Sequence, residues 1–151
     1  MKNKEGQKKV LFVDIDGVLV NGKRGFHTAD PLCVYQLNRV TGATGARIVL
    51  SSAWRTAYDE KYMADKFKEW GVREPIIGFT PDFSKLEHRG HEIQEWLDTH
   101  KDVTQFAIVD DNDWMHHLSP YLVLTDFDHG LTPRKADELI QLLKKGPNGS
   151  N

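Results

Sequence analysis

Short runs dense in Val, Ile, Leu and Phe alternate along this chain with longer stretches in which apolar residues recur every three or four positions. The runs near 9–14, 46–51, 75–79, 105–110 and 121–125 have the length and side-chain type of strands covered on both faces. The periodic stretches near 31–41, 57–70, 85–99 and 132–145 predict helices. Ser84-Lys85-Leu86-Glu87 carries the Ser-x-x-Glu pattern of a capping box and starts the third helix at Lys85, leaving Ile93, Trp96 and Leu97 as its apolar face. Strand–helix alternation of this kind implies an α/β fold, a doubly wound (Rossmann-like) parallel five-stranded sheet with right-handed crossovers. The carboxyl ends of all its strands share one edge.

Polar residues stand at that edge. Asp14, Ser51 and Asp110, far apart along the chain, each terminate a predicted strand. Asp14-Ile15-Asp16-Gly17 places two carboxylates two residues apart. Positions i and i+2 of a strand face the same way, and Gly17 lets the backbone leave the strand as Asp16 is reached, so both can approach one ligand. Two anions held together need a cation. A strand ending in a turn explains one such motif equally well. The second acidic pair, Asp110-Asp111, directly after Phe106-Ala107-Ile108-Val109, favours a site for phosphate chemistry.

These motifs resemble the haloacid dehalogenase (HAD) superfamily of magnesium-dependent phosphohydrolases, whose signatures are Asp-x-Asp-Gly, a Ser or Thr closing an apolar strand, a Lys or Arg on a later helix, and an acidic pair. Asp14-Ile15-Asp16-Gly17-Val18-Leu19, Ile48-Val49-Leu50-Ser51 and Asp110-Asp111 match in order. Lys85 and Arg89 compete for the cation. Ser51-Ser52-Ala53-Trp54-Arg55, Arg89-Gly90-His91-Glu92-Ile93 leading to Trp96-Leu97, and Gly130-Leu131-Thr132 are similar to the small subgroup associated with RNA-repair proteins, which favours Arg89.

The resemblance implies a Mg²⁺ cofactor held by Asp14, Asp110 and the main-chain carbonyl of Asp16, with Asp111 holding a water on the cation or orienting Lys85 or Arg89. It implies Asp14 as nucleophile forming an aspartyl-phosphate, Asp16 as acid and then base, Ser51 bonding the transferring phosphoryl group, and Arg89 or Lys85 facing its charge. Ser52 is an alternative phosphate ligand. Trp54 and Arg55 could stack on a base or grip a distal phosphate, or pack beneath the loop. His27 could touch substrate, and Trp114, His116 and His117 could line the rim. His88 and His91 lack the further ligands a zinc site needs.

Members of the superfamily carry substrate-closing caps between the first strand and first helix and between the second and third strands. Here the segment from Asn21 to Pro31 and residues 52–75 leave no room for a substantial cap. Cap-poor members act on large substrates or close the site by oligomerisation. Expected substrates therefore run from phosphorylated small molecules, such as nucleotides and sugar phosphates, to the 3′- or 5′-phosphate ends of nucleic acids. A phosphotransferase using the same intermediate and a non-catalytic phosphate-binding module are the alternatives. The second usually lacks one of the two motif carboxylates, and Asp14 and Asp16 are both present.

Composition adds bounds. With 151 residues, 39% of them hydrophobic, one domain over 1–145 followed by a disordered tail at 146–151 is expected. A net charge of −2 argues against a sequence-independent nucleic-acid binder with a wholly basic face. Lys2, Lys4, Lys8 and Lys9 read as a solvated arm. Cys33, the single cysteine, sits in an apolar stretch and reads as core. No run reaches membrane-span length or follows a signal-peptide pattern, so a cytoplasmic protein without membrane association is expected.

Overall fold

A computed structural model describes residues 8–23, 25, 27–82 and 89–148. The expectations for Lys2 and Lys4, for the Ser84–Glu87 capping box with Lys85, for His88 and for 149–151 lie outside the described residues. Five strands, β1 (Lys9–Val13), β2 (Arg47–Leu50), β3 (Ile76–Phe79), β4 (Gln105–Asp110) and β5 (Leu122–Leu124), alternate with α1 (Pro31–Thr44), α2 (Glu60–Trp70), α3 (Arg89–Asp98) and α4 (Pro133–Lys145). Short 3₁₀ helices at Ala53–Thr56 and His116–Tyr121 complete the order.

All strand pairs are parallel, in the order β3-β2-β1-β4-β5. The chain runs outward from β1 to β3 and then crosses back to β4, so the order reverses between β1 and β4. That reversal opens a crevice beyond the carboxyl ends of these two strands. Asp14 and Asp110 stand there.

The period-2 alternation of the strands divides the core. Leu11, Val13, Ile48, Leu50 and Val109 face one side, packed with Leu37 of α1, Met63 and Phe67 of α2 and Leu139 of α4. Val10, Phe12, Val49 and Ile108 face the other, packed with Ile93 and Trp96 of α3. Trp96 meets Phe12 edge-on with ring centroids 5.6 Å apart, and Cys33 is buried in the first cluster. Both residues take the core places their sequence contexts predict.

Boundaries differ from the predicted ones where polar residues extend or delay a helix. Asp30 caps α1 by accepting from the Leu32 amide at 2.9 Å, with Pro31 in the first turn. The helix runs on through the weakly apolar Thr41–Thr44 to the left-handed Gly45. Residues 53–56 form a 3₁₀ helix, and α2 begins at Glu60 because the Asp59 carboxylate caps the Tyr62 amide. The connections where a cap would insert hold no large element: among the described residues they contain only turns, the Ala53–Thr56 helix and α2. No described helix is long and apolar enough to cross a membrane.

Candidate active site

The residue following β1, β2, β3 and β5 is in each case fixed by one more ladder bond. The amides of Asp14, Ser51, Thr80 and Thr125 donate to the carbonyls of Val109, Val13, Leu50 and Asp110, all at 3.0–3.1 Å. Polar side chains are thereby launched from a rigid backbone, which is how a sheet positions a site more tightly than a loop does.

After β1 the chain turns at once. The amides of Val18, Leu19 and Val20 converge on the Ile15 carbonyl, and the Gly17 amide donates to Val20. Gly17 has φ +84°, and a Cβ there would collide with the Asp111 carboxylate, so both conformation and space require glycine. Its carbonyl accepts from Thr125 Oγ1 at 2.6 Å. Gly130 braces the same turn from below. With φ +67°, it lies where a Cβ would come within 2.7 Å of the Val18 carbonyl, and the Leu131 amide donates to that carbonyl.

Asp14, Asp110 and Asp111 converge, with one carboxylate oxygen of each within 4.8 Å of the others. Asp14 and Asp110 are buried. Arg89 Nη1 lies 2.6 Å from Asp110 Oδ2 and 3.3 Å from Asp14 Oδ2, and Asp110 Oδ1 accepts from the Asn112 amide at 2.9 Å. Among the described residues, three carboxylates, two buried and Asp111 exposed, face one guanidinium. Burial and the neighbouring Asp110 push Asp14 up to about 7, against the opposing pull of Arg89. Burial and Asp14 push Asp111 up to about 6. Asp110 is also raised, by burial, although Arg89 opposes it. Crowded carboxyls that resist ionisation are a donor set that a bound cation would suit.

Ser51 supplies a second incomplete element. Its Oγ is fully buried and makes no hydrogen bond among the described residues, a costly state for a hydroxyl unless a ligand completes it. Ser52, the other candidate, is committed elsewhere: its Oγ accepts from the Trp54 amide and caps the 3₁₀ helix.

The geometry also places Arg55 and Asp16. Arg55 turns inward, beneath the loop. Its guanidinium donates to the carbonyls of Ser51, Ser52, Thr80 and Pro81 and pairs with Glu92, both side chains being buried. The pair ties the loops after β2 and β3 to α3 and so holds Arg89 in register. The Asp16 carboxylate is not in the acidic trio; its Oδ2 accepts from the Trp54 indole Nε1 at 3.0 Å. Its main-chain carbonyl is the group expected at a shared cation. Of the rim candidates, Trp114 is exposed and His116 adopts φ +54°. His117 bonds Gln94, away from the trio. His27 contacts Trp54, with ring centroids 5.4 Å apart.

Glu92 is the residue the sequence reading missed. It lies four positions before Trp96 and hence on the buried stripe of α3, where a carboxylate demands a cationic partner. Arg55→Met leaves Glu92 without that guanidinium. It should cost about 3–5 kcal/mol, the range for breaking a buried ion pair, visible as a large drop in melting temperature.

The chain matches over residues 10–136 the family described as "HAD domain in Swiss Army Knife RNA repair proteins". Among solved structures, a Legionella pneumophila protein assigned to the HAD superfamily (subfamily III A) hydrolases aligns at 12% identity and a TM-score of 0.47. The alignment covers 96% of this chain and 88% of that one. No curated protein matches the chain.

Proposed function

The chain belongs to the family of HAD domains in Swiss Army Knife RNA repair proteins, and from that premise we propose that it is a Mg²⁺-dependent phosphomonoester hydrolase working through an aspartyl-phosphate. The observation that carries this reading is the convergence of Asp14, Asp110 and Asp111 against a single described cation, Arg89.

The donor set suits Mg²⁺: hard carboxylate oxygens, with no thiolate or imidazole in the group. Asp14, Asp110 and the Asp16 carbonyl would hold the ion, with Asp111 beside them. When bound, Mg²⁺ supplies the positive charge that lets a carboxylate approach a phosphate dianion.

Asp14 then attacks phosphorus as the ester P–O bond breaks, and Asp16 gives its proton to the leaving oxygen. Trp54 orients the Asp16 carboxylate through Oδ2, leaving Oδ1 for that proton. In the second half, Asp16 takes a proton from water as the water attacks phosphorus, freeing phosphate and the Asp14 carboxylate. Ser51 Oγ donates to a phosphoryl oxygen, and Arg89 faces the charge that develops.

Ser51→Ala separates chemistry from folding. Losing one donor should slow turnover by about 10²–10³-fold. Because the hydroxyl has no partner among the described residues, stability should hold or rise slightly. Paired kinetics and thermal melts check this.

Phosphate release from p-nitrophenyl phosphate and from 3′- and 5′-phosphorylated oligonucleotides, with Mg²⁺ or EDTA, tests the reading as a whole. Mg²⁺-dependent release that EDTA abolishes is expected. Release indifferent to EDTA, or none from any substrate, contradicts it.

A further inference from the structure

Beside Asp16 lies a cleft of about 120 Å³ lined by His27, Trp54, Tyr58, Tyr62 and Lys66. The β1–α1 loop, the 3₁₀ helix after β2, the segment leading into α2 and α2 itself build it. We propose that this cleft is a base-stacking subsite that receives the nucleobase next to the phosphate being removed, a proposal that rests on the phosphomonoesterase reading above.

Position is the first argument. Trp54 turns its indole N–H to Asp16 Oδ2 while its ring joins the cleft, with the Tyr58 centroid 5.7 Å away and the His27 centroid 5.4 Å away. Under the proposed mechanism Asp16 protonates the leaving oxygen. Trp54 therefore links the acid that serves the leaving group to the lining of this cleft.

The lining is the second. Tyr58 and Tyr62 stack nearly parallel, with centroids 4.3 Å apart and planes at 14°, and Tyr62 remains 41% exposed. His27 is held at φ +68°, an uncommon conformation for a residue other than glycine that points its ring contact at Trp54. Flat π-surfaces bind bases of any sequence by stacking. Lys66 Nζ stands over the Tyr62 ring, 5.6 Å from its centroid, and 3.5 Å from Glu69 Oε1. A pair this long, with its carboxylate exposed, competes poorly with an incoming phosphate. Rings followed by a cation match a base followed by the next backbone phosphate. A sugar phosphate would leave the ring surfaces unused.

The test compares oligonucleotides whose phosphorylated terminal nucleoside carries its base or is abasic, at the 3′ or the 5′ end, alongside the matching mononucleotides. Wild type should turn over the base-bearing form about 5- to 150-fold better in kcat/KM, the range of one base–aromatic stack. Tyr62→Ala should bring that ratio close to one, and Tyr62→Phe should keep it. Preference in oligonucleotides alone assigns the cleft to nucleic-acid ends. The same preference in mononucleotides assigns it to free nucleotides, and both sustain the base. A wild-type ratio near one, or a ratio unchanged by Tyr62→Ala, overturns the proposal.

Binding of the same fluorescently labelled oligonucleotides to Asp14→Asn protein, followed by anisotropy, separates the two readings. Absent hydrolysis by wild type with a retained base preference in binding to Asp14→Asn sinks the phosphatase reading and keeps the cleft. Equal binding of base-bearing and abasic ends sinks the cleft.

Discussion

Asp14→Asn should abolish turnover, by about 10⁴-fold or more as for loss of a nucleophile, and at the same time make the metal-free protein more stable. The two effects have one cause. Asp14 is buried beside Asp110 and Asp111, and burial with the Asp110 charge pushes its carboxyl up to about 7 from an ordinary value of 3.8. The folded state therefore holds a proton that the unfolded chain gives up, so metal-free stability is greatest at acid pH and is lost as pH rises from about 4 to about 7. An amide cannot ionise and escapes this loss. The melting temperatures of variant and wild type should nearly coincide at about pH 4 and diverge through this window. Above pH 7 the variant should lead by on the order of 2 kcal/mol, or about 4–8 °C. Mg²⁺ should reverse the order by stabilising wild type more strongly, since it binds the folded state through a carboxylate that the variant lacks. A variant both inactive and less stable without metal at neutral pH would place Asp14 in the scaffold rather than in the chemistry.

Arg89→Met should be the most damaging substitution at the site for folding, and its damage should depend on pH and on metal. The guanidinium lies 2.6 Å from Asp110 and 3.3 Å from Asp14, and those two carboxylates keep it firmly protonated despite its burial. Removing it leaves buried charge without its cation, a change worth about 3–5 kcal/mol. The carboxyls can relieve that by taking up protons, because they already resist ionisation. The loss should therefore be full at about pH 8 and much smaller at about pH 5. Mg²⁺ should restore part of it, as a second source of positive charge. Turnover should fall by about 10²–10³-fold even with Mg²⁺ saturating, since the phosphoryl oxygens lose a charged donor. Thermal melts at the two pH values, with and without Mg²⁺, read the first effect and steady-state kinetics the second. A pH-independent loss that Mg²⁺ leaves untouched would mean that Arg89 serves packing alone.

The strand ends were legible because a parallel sheet brings every carboxyl terminus to one edge, whatever the sequence distance between them. Asp14, Ser51 and Asp110 needed nothing more than the apolar runs that precede them. Thr125, which follows β5 by the same rule and fixes the Gly17 carbonyl, could have been read in the same way. Side-chain direction was not legible. Ser51 and Ser52 are neighbours, and only the fold makes Ser52 an N-cap and leaves Ser51 without a partner among the described residues. Arg55 follows closely, yet it turns inward to Glu92, a residue 37 positions away whose charge cancels its own. The aromatic cleft was illegible for a different reason. His27 and Tyr62 lie on separate elements and share no periodic pattern, so only packing around Trp54 brings them together.

Acid quench during turnover of a phosphorylated substrate with Mg²⁺, followed by peptide mass mapping, tests the central claim most directly. One phosphoryl group on the peptide that carries Asp14, lost when Mg²⁺ is omitted, is the predicted result. A phosphoryl group on any other residue, or rapid hydrolysis with none on the protein, would contradict an aspartyl-phosphate at Asp14.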